Sequence, residues 1–427
     1  MQKKLLLILF FPLVIYGQEV RNIGTLFDSL KTHPSTISDE ITVEQSDAGK
    51  SMAYSHLFPN IDLFGRYDYS STAAGLLPLP LNEMFTFSKN PALTQPFSQN
   101  IYRVGASISM PIFVKSIYSM VSKASIMYKS AEDKKYINLL KNEALIVSLN
   151  ANLTYMDALG IALEQNKNSL LKTKEFVTIK VNNGRAPESS LLKINTGISQ
   201  LDVTKNDIAL QKEEVLAAIK TLTGVSLKKA VPLIQTGTFT DGEIRALDPL
   251  RGKLEADKLD LRAEKEKLWP MLLVQGNYNR SFAKAYNNDK DIAENYYTVG
   301  LVLKIPLFSM DQYSQIGKSA VEVKATENEL NKMSLELTSQ AEQLQNSLPL
   351  IESSIQLYNN SIKDKEVLLT IAKVSYQSDQ MTMEDYLKYE DDLVLEKSKL
   401  FKSQAQKWQT LVKLAIIYGN SIEEMVK

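Results

Sequence analysis

The chain has 427 residues, with 49 basic and 49 acidic side chains, two histidines and no cysteine. Balanced charge argues against nucleic acid as a main partner, which needs a net basic surface. Without cysteine there is no thiol chemistry, disulfide framework or Cys/His zinc site, and His33 and His56 alone argue against a Ser-His-Asp triad. With 17 glycines and 14 prolines, helix breakers are sparse and long helices are favoured.

Lys3 and Lys4 precede an apolar run over residues 5–15, followed by Tyr16-Gly17-Gln18. This is the pattern of a signal peptide, residues 1–17, cleaved after Gly17, so the protein is expected to be exported. No cysteine follows the run, which excludes a lipid-anchored mature N-terminus. No later stretch reaches 18 continuous apolar residues, so no spanning helix is expected.

Residues 18–34 read as irregular, and a modest amphipathic helix over 38–55 runs into Leu57-Phe58-Pro59. Proline disfavours helix at the residue before it, and strict alternation, the mark of a two-faced strand, follows. In the strand over 60–69, Ile61, Leu63, Gly65, Tyr67 and Tyr69 share one face; Asn60, Asp62, Phe64, Arg66 and Asp68 share the other. A Pro/Ser/Asn-rich loop is expected over 70–100, then a second strand over 101–112 with Arg103 on its polar face. A proline-free stretch predicts a long helix over 116–182, with Leu140, Ala144, Val147, Ala151, Thr154, Ala158 and Ile161 at coiled-coil spacing. The turn at Asn182-Asn183-Gly184-Arg185-Ala186-Pro187 sends a return helix, 188–222, back alongside.

After a linker over 225–249 the plan repeats. Strands are predicted over 271–282 and 297–307, the latter carrying Lys304, then a long helix over 312–376, a turn near Ser378-Asp379 and a return helix over 382–418. Pro349, inside the long helix, is expected to kink or open it. Leu57-Phe58-Pro59 matches Leu268-Trp269-Pro270 at an offset of 211; Tyr102, Gly105, Pro111 and Phe113 match Tyr297, Gly300, Pro306 and Phe308 at 195. The 16-residue difference places an excess in the first inter-strand loop. The chain therefore reads as two structural repeats, 18–224 and 250–427.

Each strand is long enough to cross a membrane when tilted. The apolar face suits lipid, and Asp62, Arg66, Asp68, Arg103 and Lys304 suit a wet lumen. Four strands cannot close a barrel, and open edges are not tolerated in lipid, so protomers must combine. Twelve strands from three chains and eight from two both satisfy the arithmetic. Helices of about 100 Å, at 1.5 Å per residue, would extend the pore as a helical tube. A soluble periplasmic coiled-coil scaffold or adaptor explains the helices and export but not the lipid-like strand faces. An enzyme would need convergent groups; Asp391-Asp392 and Glu423-Glu424 read as solvated pairs, and no cofactor motif is present.

At the two Leu-aromatic-Pro switches, the two strand ends Gly105 to Phe113 and Gly300 to Phe308, and the tandem duplication, the chain resembles the TolC family of outer-membrane efflux proteins. The resemblance covers nearly all of the mature chain. It implies a mainly α protomer with a transmembrane β part. A homotrimer would complete a twelve-stranded β-barrel in outer-membrane lipid and a twelve-helix periplasmic barrel, with an equatorial belt at the linker and termini. It further implies a passive exit duct docked to a periplasmic adaptor and an inner-membrane transporter. The periplasmic entrance of such ducts lies near the hairpin tips, here Asn182 to Pro187 and Gln377 to Thr382, where Gly184, Arg185, Pro187, Ser378 and Asp379 are expected to dock the adaptor. Of the family's two pore-narrowing aspartates, the first aligns with Asp385 and the second with Lys388. The arginine that ties the closed state aligns with Met381.

Overall fold

The computed structural model describes residues 22–90 and 92–427. The expected signal peptide, 1–17, lies outside the described residues. In chain order the elements are α1 (Gly24–Lys31), α2 (Pro34–Ser55), β1 (Asn60–Gly75), α3 (Leu81–Lys89), β2 (Phe97–Phe113), α4 (Lys115–Asn182), α5 (Glu188–Thr223), α6 (Asp248–Glu266), β3 (Met271–Lys284), β4 (Asp291–Lys304), α7 (Met310–Gln377), α8 (Met383–Tyr418) and α9 (Ile422–Met425). The chain divides into two compact units. One contains residues up to Ile41, Lys134–Leu247 and Met333–Lys427; the other contains Thr42–Asp133 and Asp248–Lys332.

The second unit is built on an antiparallel sheet in the order β1-β2-β3-β4. The helix-to-strand switches are made alike in both copies. Leu57 and Phe58 donate to the carbonyls three residues back, Tyr54 and Ser55, and Leu268 and Trp269 do the same to Lys265 and Glu266. The helix thus tightens into a 3₁₀-type turn before Pro59 and Pro270 end it. The second switch is braced by charge: buried Glu266 accepts from Ser119 Oγ and Arg262 Nε, and Lys115 Nζ lies 3.4 Å from the centroid of the Trp269 ring.

Two readings of the first repeat change here. β1 does not stop at Tyr69 but runs to Gly75, through a register shift between Tyr69 and Ala74 that destroys the period-2 pattern. The expected loop over 70–100 contains α3 and the start of β2 at Phe97. In the second hairpin β4 begins at Asp291, because Lys284 pairs with Asp291 and leaves only a short turn between them.

The other unit is helical. α4 and α7 are each 68 residues, α5 and α8 each 36, so both hairpins share one length and one turn position. The segment expected to be irregular, 18–34, includes α1, whose Leu26, Phe27 and Leu30 enter a core with Ile146, Val147 and Leu153 of α4, Ile219, Val231, Val412, Met425 and Val426. Full burial of such side chains contributes about 1.5–3 kcal/mol each. The linker is held to α4 by Asn150, whose amide donates to Val231 O at 2.7 Å and accepts from Val231 N–H at 2.9 Å. It also pairs with the C-terminus, through Ile234 and Lys427 and through Thr236 N–H to Met425 O. α7 is continuous through Pro349.

Candidate functional site

The sheet presents two chemically different faces, and cross-strand register fixes their membership. On one, mainly apolar, Leu63, Ala106, Tyr278 and Tyr297 form a row, flanked on one side by Ile61, Ile108, Gly276, Val299 and on the other by the mixed row Gly65, Val104, Arg280, Asn295, beyond which lie Tyr67, Tyr102, Phe282, Ala293. This apolar face is open: Leu63 is 85% exposed and Val299 78%. Burying such a surface is strongly favoured, so a bare apolar sheet face marks a lipid or protein contact. On the opposite face the rows are Asp62, Ser107, Asn277, Thr298 and Arg66, Arg103, Ser281, Glu294. Asp62, Arg66, Asp68, Arg103 and Lys304 all fall on this polar face, Lys304 opposite Met271. Arg66 and Arg103 stand directly opposite each other, and Asp68 offsets their repulsion by accepting from both. The outer edges of β1 and β4 have no strand beside them among the described residues.

The hairpin tips repeat one device. Gly184 has φ 68° and Asp379 φ 59°, both left-handed. The following residues, Arg185 and Gln380, donate to Lys180 O and Ser375 O, so each long helix ends in a Schellman motif. Gly184, Arg185, Pro187, Ser378 and Asp379 are exposed. Lys180 ion-pairs with Asp379 and lies 4.8 Å from the Phe176 ring centroid, tying one tip to the other.

Asp385 sits in the first turn of α8. Thr382 caps that helix by accepting Asp385 N–H at 3.1 Å and donates its hydroxyl to the Asp385 carboxylate at 2.6 Å. Lys388 is exposed beside Lys193, Glu384 and Asp391 in a shallow groove, and Met381 is half-buried against the apolar cluster of Tyr376 and Tyr386. The three therefore do not converge on one point within the chain.

A buried polar knot nearby has no counterpart in the sequence reading. Glu390 accepts from Tyr386 and Ser169, both at 2.6 Å, and Thr173 lies 3.3 Å from the Tyr386 hydroxyl. Burial and Glu390 push Tyr386 up to about 12. Its partners are far apart in the chain, and the signal that was present was a tyrosine on the face of α8 that carries Met383 and Leu393. Asp391 is raised by burial and by Glu390 and Asp392, while Glu423 is tied to Lys31 at 2.6 Å.

The two-faced sheet and the repeated helical hairpins make up a chain of the TolC-like fold. Solved structures with this fold include the outer membrane protein VceC of Vibrio cholerae, with 14% identity, covering 93% of this chain and 96% of that one at TM-score 0.77. The Campylobacter jejuni CmeC outer membrane channel has 16% identity, covers 93% and 86%, and has TM-score 0.77. The open state of the Neisseria gonorrhoeae MtrE outer membrane channel has 12% identity, covers 93% and 89%, and has TM-score 0.71. No protein-family model and no curated protein sequence matches the chain.

Proposed function

We propose that this chain is the outer-membrane exit duct of a tripartite efflux pump or type I secretion system. The observation that carries the reading is the sheet itself: strands of 14 to 17 residues, one face mainly apolar and open, the other polar, and both edges unpaired among the described residues. Lipid accepts such a sheet only when the edges close, and three copies supply twelve strands. Residues 1–17 act as the cleaved signal peptide. The repeats 18–224 and 250–427 each give one strand pair and one helical hairpin, with 225–249 as the equatorial linker. Asp62, Arg66, Asp68, Arg103 and Lys304 line the barrel lumen.

The duct is passive: its energy comes from an inner-membrane transporter, coupled through a periplasmic adaptor that docks at Gly184, Arg185, Pro187, Ser378 and Asp379. Asp385 narrows the entrance, and Lys388 in place of a second acid makes that entrance less cation-selective, while Met381 leaves the closed state without an arginine tie. The structural likeness to outer membrane channels supports the reading.

Fractionation tests it directly. The protein should stay with outer membranes through salt and carbonate washing and form ion-conducting pores in planar bilayers. Release by carbonate would assign it instead to a soluble coiled-coil scaffold. Single cysteines at Gly184 or Ser378 should cross-link an adaptor; capture only from mid-helix positions would remove the docking assignment.

A further inference from the structure

The mainly apolar face of the sheet carries a charge that contact with lipid chains does not call for. Arg280 of β3 stands in the mixed row with Gly65, Val104 and Asn295, among Tyr67, Tyr102, Tyr278 and Phe282. It is exposed, forms no ion pair among the described residues, and holds its Cζ 5.2 Å from the Phe282 ring centroid. The other charges of that face, Lys284 and Asp291, stand directly opposite each other two rows farther out and offset one another. Glu294 is on the polar face, in the row of Arg103 and Ser281. Directly across from Arg280, Asn295 accepts the Tyr278 hydroxyl on Oδ1 at 3.1 Å, which leaves its Nδ2 to donate. Guanidinium and amide together present N–H donors and one net positive charge, the chemistry that takes an oxyanion.

Position along the strand says where that oxyanion comes from. β3 starts at Met271, just after the Pro270 switch, so Arg280 lies about 30 Å along it at about 3.3 Å per residue. At a tilt of about 40° this is a rise of about 23 Å, near the far rim of an apolar band about 25 Å tall. A lipid-facing charge is costly at the middle of the band and tolerated at the rim. We propose that Arg280 and Asn295 bind the phosphate of an outer-leaflet lipid, with Tyr278 and Phe282 packing against the lipid beside it. The inference rests on the duct reading, which turns this face to the bilayer. A guanidinium takes two phosphate oxygens at once, and aromatic rings gather at the rim of such a band. β3 lies between β2 and β4, away from the edges where copies of the chain would pair. The first repeat is a natural control. Tyr67 and Asn100 reproduce the Tyr278–Asn295 bond, but Tyr69, opposite Asn100, stands where the 211-residue offset puts Arg280. Each protomer therefore carries a single site.

The test uses the full chain as oligomer in detergent, titrated with diphosphoryl lipid A, with the same lipid stripped of its phosphates, and with inorganic phosphate. The expected result is that only the diphosphoryl lipid raises the melting temperature of the oligomer. Arg280→Gln should need about tenfold more of it, while Lys284→Gln responds as the natural chain does. Tyr69→Arg, which copies the arginine into the first repeat, should increase the number of lipids retained per oligomer in native mass spectrometry. Equal stabilisation by the dephosphorylated lipid, or an unchanged titration for Arg280→Gln, overturns the proposal and leaves the duct in place. An equal effect of inorganic phosphate overturns the lipid assignment in favour of a soluble anion. If Arg280→Gln does not assemble, the Tyr69→Arg count decides, and no added lipid overturns the site. A natural chain that forms no oligomer overturns the duct reading itself.

Discussion

Tyr67 donates its hydroxyl to Asn100 Oδ1 at 2.7 Å across β1 and β2, two residues beyond its direct partner Tyr102. Tyr278 makes the same bond to Asn295, at 3.1 Å, across β3 and β4. The duplication has therefore kept a side-chain contact as well as a strand order. Tyrosines on a lipid-facing strand sit with the ring among apolar groups and the hydroxyl toward water. The bond alone contributes about 0.5–1.5 kcal/mol. On the duct reading, the double variant Tyr67→Phe with Tyr278→Phe should accordingly assemble in membranes as well as the natural chain. Tyr67→Ala with Tyr278→Ala, which removes both rings, should assemble poorly. Equal yields from the two double variants, read as heat-resistant oligomer on gels, would show that the rings do not anchor the sheet.

The glycines of the strands separate close approach from open space. A Cβ at Gly105 would lie 2.2 Å from the Tyr278 carbonyl oxygen and 2.8 Å from Phe64 Cζ, whereas Gly65 and Gly300 have nothing within 4 Å. Backbone cannot give way as a flexible side chain can. Gly105→Ala should block assembly of the β part, and Gly65→Ala and Gly300→Ala should be tolerated, each within about 0.5 kcal/mol as surface changes usually are. Refolding yield into detergent micelles measures this. A normal yield for Gly105→Ala contradicts it.

Periodicity made much of the architecture legible in the sequence. Alternation gave the two faces of the sheet around Tyr67 and Tyr297, and Gly184 with Pro187 marked a tip. Local pattern failed where it is physically weak. α1 has eight residues, too few for a helical period to show. Beyond Tyr69 the register shift breaks alternation, and α3 is short and isolated between prolines. The left-handed turn at Asp379 was recoverable, since Asp379 stands 195 residues after Gly184 in the repeat. The Tyr386, Glu390, Ser169 knot was not, because α4 and α8 meet only in three dimensions. Contacts 217 and 221 residues apart leave no local signature.

Asp385 has two separable jobs to distinguish. Its carboxylate takes a hydrogen bond from Thr382 and favours the positive end of the α8 dipole, a structural contribution of about 0.3–1 kcal/mol. On the proposed duct reading, its charge would act on permeating ions. Asp385→Asn keeps an acceptor of the same shape and loses the charge; Thr382→Ala removes the cap and should lower helix stability by about 1 kcal/mol. If Asp385 lines the narrowest part of the pore, Asp385→Asn and Asp385→Ala should both shift conductance and weaken block by multivalent cations, while Thr382→Ala leaves both unchanged. Single-channel recordings in which only Thr382→Ala alters cation block would reduce Asp385 to a capping residue.

Glu143 should make the stability of the helical unit depend on pH. Its side chain is buried on α4, and burial, reinforced by Glu423 and opposed by Lys31, pushes its carboxyl up to about 7. Lys31 itself is bound to Glu423 at 2.6 Å, so the α1 segment and the C-terminus bring both charges to the same neighbourhood. A carboxyl raised from 4.5 binds in the folded protein a proton that the unfolded chain has released. The stability it contributes is complete below pH 4.5, is lost as pH rises toward about 7, and does not fall further above that. The shift corresponds to a loss on the order of 3 kcal/mol across the window. Glu143→Gln keeps the shape and cannot ionise, so its thermal unfolding in detergent should be flatter than that of the natural chain from about pH 5 to about pH 7.5. The two should differ little at the acid end and diverge in favour of the glutamine at the alkaline end. Parallel pH profiles for the two proteins would remove Glu143 as the source of the slope.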